Sequence, residues 1–537
     1  MRIHFIAVSI VFSSLGFAQV YTDTTKAPEN WFNLDPYTNK INGVSTERTY
    51  NELLKGKKST TLIVGVIDSG VDFNHEDLKD VMWTNPKEIA GNGIDDDKNG
   101  YIDDIHGWNF IGGKDGKNIE HETVELTRLY RDYKKKYDGK DEKTIASADK
   151  KEYKQYLDIK TNYEQKLDEA QRQLTQVNFV NEMFINLNLE IKDQLSIDSV
   201  RATQLKQFKA KDKKQESLLA YAQLILSQDT TLTIDYLLKQ LDEAQDHFES
   251  QVKYNYNVDY DPRGIVGDDY KNSYEKYYGN NDCNGPSSLH GTHVAGIIAA
   301  IRTNNIGVKG VADNVRIMSV RAIPDGDERD KDVANAIIYA VDNGAKVINM
   351  SFGKTYPHDK VAVDKAVKYA ESKDVLLVHA AGNDGLDIDK NIFYPCKKFV
   401  NGKKANNWIE IGALNWRMGS DLPASFSNYG KKTVDVFAPG VDIHSTKNGG
   451  GYLDESGTSM ASPVTAGVAA VIRSYYPNLT AKQVKKIIEK SVDKDYKDQK
   501  VKQPGADKKE VKFSDLSITG GVVNLYNAIL MAEKMSK

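Results

Sequence analysis

The sequence is poor in cysteine, with only Cys283 and Cys396 among 537 residues. Neither cysteine has a second Cys or His at the short spacing that a zinc site needs. A single disulfide between the two cysteines and two free thiols both remain open. A structural zinc module is therefore not expected.

Long apolar runs and a strong net charge are also missing. No stretch of about 20 consecutive apolar residues occurs, which is the length that a membrane-spanning helix needs. The formal net charge is −4, with 40% hydrophobic and 28% charged residues. A charge this small for the length gives no indication of nucleic acid as a partner. We expect a mature chain with no integral membrane segment and a sizeable core.

The N-terminal stretch MRIHFIAVSIVFSSLGFAQ has a distinct composition. Arg2 precedes an apolar run that ends in the small-residue pattern Gly16-Phe17-Ala18. This layout is typical of a secretory signal peptide with cleavage after Ala18, and the run is too short to span a bilayer. We predict a signal peptide over 1–18 and an exported protein, either periplasmic or extracellular.

Apolar strands alternate with amphipathic helices from residue 288 onward, and one earlier strand, TTLIVGVIDSG, covers 60–70. The later strands are NVRIMSVRAI, AKVINMSFG and VLLVHAAGN, and helices such as DVANAIIYAVDNG and KVAVDKAVKYAESKD separate them. This alternation predicts an α/β fold with a parallel sheet flanked by helices on both faces. Ligands bind beyond the carboxyl ends of the strands in such sheets.

Between about 112 and 280 the sequence becomes rich in Lys, Glu, Asp and Gln, and proline is absent until Pro262. An apolar seam with heptad-like steps predicts long helices packed as a hairpin or a short coiled coil, and Asn181 interrupts it. A charged, partly disordered insertion is the alternative. The seam consists of Tyr163, Leu167, Ala170, Leu174, Val177 and Phe184. The predicted divisions after the signal peptide are an N-terminal segment at 19–59, an α/β part at 60–111, a large mainly helical insertion at 112–280, and a second α/β part with a closing helix at 281–537.

Three short motifs supply the parts of an acyl-transfer site. VIDSGVD places Asp68 at the end of a strand, HGTHVAG places His290 and His293 at the start of a helix, and GTSMASP places Ser459 in a turn before another helix. A serine becomes a nucleophile when a neutral imidazole takes its proton, and a carboxylate fixes the tautomer of that imidazole.

These three motifs, in this order, resemble those of the subtilisin-like serine proteases, or subtilases. The resemblance covers roughly 60–111 and 281–490, and the insertion lies outside it. It implies a subtilisin-like fold in which Asp68 orients the base, His290 is the general base and Ser459 is the nucleophile. His293 then lies in the same helix as a packed, structural residue.

The resemblance also implies an oxyanion hole and a peptide-binding edge. AAGND places Asn383 where the family has its oxyanion asparagine, with the backbone N–H of Ser459 as the second donor. INMSFG resembles the edge segment that pairs with an extended substrate. The implied substrate-binding residues are Ser351, Phe352, Gly353, Ala381 and Gly382. Around the first side-chain pocket stand Asp384, Phe393, Tyr394 and Pro395, a mixed set that identifies no favoured side chain.

The segment NGIDDDKNGYIDDIHGW has the front half of a calcium loop. Oxygen-bearing side chains alternate, and Gly100 stands at the sixth position, where a sharp turn is needed. The twelfth position is His106 and not Glu, so the loop is not a complete EF-hand, and a solvated acidic turn is the alternative. The predicted ligands of a structural Ca²⁺ are Asp95, Asp97, Asn99, Tyr101, Asp103 and Asp104. Asp77 and TNNIGV around Asn304 suggest a second, weaker site.

The motifs together predict an exported serine endopeptidase that hydrolyses peptide or protein substrates through an acyl-enzyme. An esterase of the α/β-hydrolase type is excluded, because that class has G-x-S-x-G and the order Ser, Asp, His. A catalytically silent subtilase-like protein that binds partners, or acts like a chaperone, through its insertion is the remaining alternative.

Overall fold

A computed structural model describes residues 27–227, 232–506 and 508–537. The predicted signal peptide at 1–18 lies outside these residues. The described chain forms two compact units, one of Ala27–Glu125 with Asp261–Lys537 and the other of Leu126–Tyr260. The boundaries that the sequence predicts at 112 and 280 stay predictions.

The larger unit contains a seven-stranded sheet in which all neighbouring strands are parallel. Its strands are β1 (Leu62–Asp68), β2 (Gly107–Asn109), β3 (Val315–Arg321), β4 (Ala345–Met350), β5 (Leu376–Ala380), β6 (Trp408–Leu414) and β7 (Val436–Pro439). The strand order is β2-β3-β1-β4-β5-β6-β7. Two small antiparallel pairs accompany the sheet, formed by β8 (Ile443–Thr446) with β9 (Tyr452–Glu455) and by β10 (Lys500–Lys502) with β11 (Glu510–Lys512).

Twelve α-helices occur in the described residues. They are α1 (Thr46–Thr49), α2 (Glu125–Tyr137), α3 (Lys150–Leu195), α4 (Ala202–Leu205), α5 (Lys213–Leu226), α6 (Ile234–Ser250), α7 (Leu289–Ala299), α8 (Asp330–Asp342), α9 (Lys360–Ser372), α10 (Thr458–Tyr475), α11 (Ala481–Lys490) and α12 (Leu525–Ser536).

Helices cover both faces of the sheet. Successive side chains of a strand point to opposite faces, so an apolar strand can contribute to a core on each side. Val64 and Val66 of β1 lie in one core with apolar residues of α7, α10, α11 and α12. Ile67 of the same strand lies in the opposite core with residues of α8 and α9. The predicted parallel α/β fold with helices on both faces is confirmed.

The second unit is helical, as the sequence predicts. Helix α3 is 46 residues long and packs against α6. Asn181, which interrupts the apolar seam, donates to Asp242 at 2.8 Å, and Asn188 donates to Asp235 at 2.9 Å. These contacts run in opposite directions along α3 and α6, so the two helices are antiparallel. Polar pairs within an otherwise apolar seam fix the register of the helices.

The structure also bears on membrane-spanning helices and on the two cysteines. Within the described ranges, no helix is long and apolar enough to cross a membrane. Cys283 is buried and Cys396 is half-buried, and both are free thiols.

Candidate active site

Several of the predicted catalytic and peptide-binding residues lie at the carboxyl ends of three neighbouring strands. The sheet order places β4 between β1 and β5. Asp68 is the last residue of β1, Ser351 follows β4 directly, and Ala381 follows β5 directly. Parallel strands end at the same edge of a sheet, which is where such folds bind ligands.

Asp68 and His290 form a short contact at this edge. The Nδ1 of His290 lies 2.7 Å from Oδ1 of Asp68, and the backbone N–H of Ser69 donates to the same oxygen at 2.7 Å. Because an ionised carboxylate only accepts, this contact places the proton of the neutral imidazole on Nδ1 and leaves Nε2 as the acceptor. Helix α7 can approach β1 this closely because residue 291 is glycine: a Cβ there would lie 2.1 Å from the carbonyl oxygen of Gly70.

The surroundings of His290 make its imidazole easier to protonate than an ordinary histidine. Burial lowers the pKa of the His290 imidazole, but the Asp68 carboxylate, with a smaller contribution from Glu455, outweighs it. The pKa of His290 therefore lies above its ordinary value. The His290 side chain stays 41% exposed while Asp68 is buried, so the imidazole is open to a ligand on one side only.

His293 has a different environment from His290. It is completely buried, and its Nε2 lies 3.1 Å from the carbonyl oxygen of Ile443 and 3.2 Å from that of Leu453. Burial lowers the pKa of His293 to about 3. This neutral side chain connects α7 to the β8–β9 pair, as a packed histidine would.

Ser459 is the second residue of α10 and contacts the segment after β4 twice. Its Oγ donates to the carbonyl oxygen of Ser351 at 3.1 Å, and the Ser351 Oγ donates to the Ser459 carbonyl oxygen at 2.8 Å. Asn349 donates to the Ser351 Oγ at 2.9 Å and accepts from the Ser462 Oγ at 2.8 Å. The sequence analysis did not identify Asn349 or Ser462, although an asparagine within the apolar strand INMSFG is a signal of such a buried network.

Asn383 is held by the residue that precedes Ser459. Its Oδ1 accepts from the backbone N–H of Thr458 at 2.8 Å and from the Thr458 hydroxyl at 2.9 Å. Both lone pairs of the amide oxygen are used, so the Nδ2 donors remain for another acceptor. The Thr458 hydroxyl also accepts from the Gly382 backbone N–H at 3.1 Å. One threonine therefore joins the turn after β5 to the start of α10.

The predicted peptide-binding residues lie in two facing segments. Phe352 and Gly353 have backbone N–H and C=O groups that take part in no hydrogen bond among the described residues. The next residue, Lys354, exchanges two backbone hydrogen bonds with Tyr394, at 2.7 and 2.8 Å. Ala381 and Gly382 follow β5, the neighbour of β4. An extended peptide can thus pair with a short backbone edge that ends at Gly353.

The acidic loop brings together part of the predicted metal set. Carboxylate oxygens of Asp95, Asp97 and Glu88 all lie within 4.8 Å of one another. Ca²⁺ binds oxygens at about 2.3–2.6 Å, so two ligands of one ion are at most about 5 Å apart, and this cluster fits a hard cation. Glu88 lies four residues before the motif, which explains why the spacing did not identify it.

The other four predicted ligands have different contacts. The Asp103 carboxylate accepts from the backbone N–H groups of Gly91 and Gly93, at 2.8 and 2.9 Å. Asp104 is buried and accepts from the Tyr339 hydroxyl at 2.6 Å, and burial raises its pKa to about 6. Asn99 accepts from the backbone N–H of Tyr101 and donates to Asp104. These hydrogen bonds hold the loop, and Asp103 and Asp104 are not among the three carboxylates of the cluster.

The weaker site around Asp77 is filled by protein donors. Asn304 donates to Asp77 Oδ1 at 2.6 Å, and the backbone N–H groups of Ile301 and Val308 donate to its two oxygens at 3.1 and 3.3 Å. Burial raises the pKa of Asp77. The structure thus places Asp77 and the loop around Asn304 together.

Comparison with known proteins identifies the family of the chain. The model of the subtilase family, peptidase S8, matches residues 59–510. A thermophilic serine proteinase of Bacillus sp. (strain AK1) is 45% identical over 206 residues, which are 38% of this chain and 47% of that protein. Subtilisin DY of Bacillus licheniformis is 40% identical over 208 residues, which are 38% of this chain and 69% of that protein.

A solved structure of the prenylagaramide maturation protease PagA is also similar, with 28% identity, 45% of this chain and 82% of that chain covered, and a TM-score of 0.36. The matched part spans about half the length of the thermophilic serine proteinase. The family model, by contrast, covers most of the present chain. On that match, the chain belongs to the subtilase family.

Proposed function

We propose that the protein is a serine endopeptidase that hydrolyses peptide bonds in peptide or protein substrates through an acyl-enzyme. The observation that carries the proposal is the 2.7 Å Asp68–His290 contact, at the same sheet edge as Ser459 and Asn383. A buried carboxylate on Nδ1 of a half-exposed imidazole is the arrangement that a general base needs.

In this proposal His290 takes the proton of the Ser459 hydroxyl through Nε2 as the oxygen attacks the substrate carbonyl. Asp68 keeps the imidazole in the correct tautomer and stabilises the imidazolium that forms. The Ser459 hydroxyl now donates to the Ser351 carbonyl oxygen, and it rotates towards His290 when substrate binds. Catalytic hydrogen bonds often form only in the substrate complex. His290 then passes the proton to the leaving amine.

The negative charge on the tetrahedral intermediate is stabilised by two donors, Asn383 Nδ2 and the backbone N–H of Ser459. The contacts of Thr458 with the Asn383 oxygen support this role, because they fix the amide with its N–H groups available. Donors that are already oriented need no reorganisation during the reaction.

The test is peptide hydrolysis by the wild type and by Ser459→Ala and His290→Ala. Each substitution is expected to lower kcat by about 10⁶-fold, the magnitude established for this family, with an unchanged far-UV circular dichroism spectrum. His293→Ala is the matched control, and it is expected to lose stability before activity. If Ser459→Ala hydrolysed the peptide at the wild-type rate, the proposal would be refuted. A folded wild type with no activity would favour the silent binding protein.

We infer that the cluster of Glu88, Asp95 and Asp97 holds a structural Ca²⁺. Three carboxylates within 4.8 Å of one another repel, and a divalent hard cation offsets most of their charge. The hydrogen bonds of Asp103 and Asn99 within the loop, and that of Asp104 with Tyr339 of α8, support the cluster by fixing the path of the chain. The ion stabilises the fold and takes no part in the hydrolysis.

Export through a signal peptide at 1–18 completes the proposal. Its support is the sequence pattern of that segment. The free thiols Cys283 and Cys396 place no requirement on the redox state of the compartment.

A further inference from the structure

Two glycines face the space beside the proposed peptide edge. Gly353 ends the segment after β4, and Gly382 lies in the turn after β5. In the proposed function the substrate residue with the reacting carbonyl lies between Gly353 and the oxyanion donors. Its side chain therefore points into the gap between these two segments.

The ring of Phe393 occupies this gap. A Cβ added at Gly353 would lie 2.3 Å from Cε1 and 2.6 Å from Cζ of Phe393. A Cβ added at Gly382 would lie 3.0 Å from the same Cζ and 3.2 Å from Cε1. One edge of the ring is thus in contact with both glycine backbones. Phe393 is half-buried and packs against the core cluster that contains β5.

The surroundings of Phe393 hold the ring in this place. The neighbouring residue Tyr394 is fixed by its two backbone hydrogen bonds to Lys354. Behind the ring lies the buried His379 imidazole, with ring centroids 6.1 Å apart. His379 is itself held by Glu410, whose Oε1 lies 2.7 Å from Nδ1. Movement of the ring towards His379 would disturb this buried pair, which is costly in a close-packed interior.

We propose that Phe393 limits the residue on the acyl side of the cleaved bond to glycine, alanine or serine. This inference rests on the proposed endopeptidase function and adds its substrate class. A hydrogen, methyl or hydroxymethyl group fits between the substrate backbone and the ring edge. A phenylalanine or leucine side chain would overlap the ring, and forced overlap in a packed site is strongly unfavourable.

The test compares two chromogenic peptide nitroanilides that differ only in the last residue, alanine or phenylalanine. For the wild type, kcat/KM for the alanine peptide is expected to exceed that for the phenylalanine peptide by at least about 100-fold. Phe393→Ala should raise kcat/KM for the phenylalanine peptide by at least about 30-fold, and Phe393→Leu should lie between the two. Phe179→Ala, which removes an exposed phenylalanine of α3, serves as the control and should keep the wild-type ratio.

The outcomes separate this inference from the proposed function. A wild type that hydrolyses the phenylalanine peptide as fast as the alanine peptide would overturn the role of Phe393 and leave the endopeptidase intact. The role of Phe393 would also be overturned if both Phe393 variants kept the wild-type ratio of kcat/KM between the alanine and phenylalanine peptides. If no variant hydrolyses either peptide, the proposed function fails and this inference fails with it. Two variants of different size keep the test valid if one of them does not fold.

Discussion

His293 gives a prediction about stability that separates it from His290. Its imidazole is completely buried, and burial lowers its pKa from 6.5 to about 3. In the unfolded chain the same imidazole takes up a proton near its ordinary pKa. The unfolded state therefore binds more protons below pH 6.5, and the folded state loses stability as the pH falls.

The size of the effect follows from the shift. Each pH unit between the two pKa values costs at most about 1.4 kcal/mol, so a fall from about pH 7.5 to about pH 4.5, which lies about two units below the ordinary pKa, costs about 2.7 kcal/mol. His293→Gln keeps an N–H donor for the carbonyl oxygens of Ile443 and Leu453 but cannot take up a proton. It should lose about 1–2 kcal/mol near pH 7.5 through imperfect packing. Near pH 4.5 this deficit should be reversed, because the wild type has by then lost about 2.7 kcal/mol that the variant does not lose.

The assay is denaturant unfolding at the two pH values, with Ser459→Ala in every variant to prevent self-digestion. Carboxylate titrations are common to all variants and cancel in the comparison. Phe179→Ala, which removes an exposed ring of α3 that carries no titrating group, is the control and should show the wild-type pH dependence. An equal deficit for His293→Gln at both pH values would refute the assignment of His293 as a buried neutral residue.

Three further predictions concern the proposed site. Asn383→Ala should lower kcat by about 10²–10³-fold with little change in KM, the usual cost of removing one oxyanion donor in this family, and a changed KM alone would contradict the role. Asp68→Asn should lower kcat by about 10⁴-fold and move the acid limb of the kcat/KM profile to lower pH, because Asp68 raises the pKa of His290 and activity needs the neutral imidazole. An acid limb at the wild-type position would argue against this pairing. Removing Ca²⁺ with a chelator should destabilise the Ser459→Ala protein by about 2.7 kcal/mol if the free ion was present at a hundredfold excess over Kd. Asp97→Asn should reduce this loss of stability, whereas Asp96→Asn in the same loop should not. An equal melting temperature of the Ser459→Ala protein with and without chelator would exclude the site.

The sequence predicted the fold where local pattern and tertiary structure agree. Strands β1, β3, β4 and β5 are apolar runs of ordinary length, and the structure has them within two or three residues of their predicted ends. The short strand β2 (Gly107–Asn109) was not predicted, because three residues carry no periodicity and their conformation comes from pairing with β3. The strand order also depends on long-range pairing, which a linear pattern does not contain.

The candidate site likewise contains residues that the sequence predicted and residues that only the fold brings into it. Asp68, His290, Asn383 and Ser459 were identified because each stands in a motif of several residues. Glu88 lies outside the acidic motif and joins Asp95 and Asp97 only through the fold of the loop. Phe393 was identified as a neighbour of the pocket, but its position between Gly353 and Gly382 depends on packing that the sequence does not show.

The most direct test of the central claim is covalent labelling of the folded, Ca²⁺-loaded protein with a fluorophosphonate, followed by peptide mass spectrometry. A serine that is activated by a neutral imidazole reacts with this reagent, whereas an ordinary serine does not. We predict one adduct per chain, located on Ser459, that disappears in His290→Ala and in unfolded protein. A folded protein that stays unlabelled, or is labelled at another residue, would contradict the assignment of Ser459 as the nucleophile.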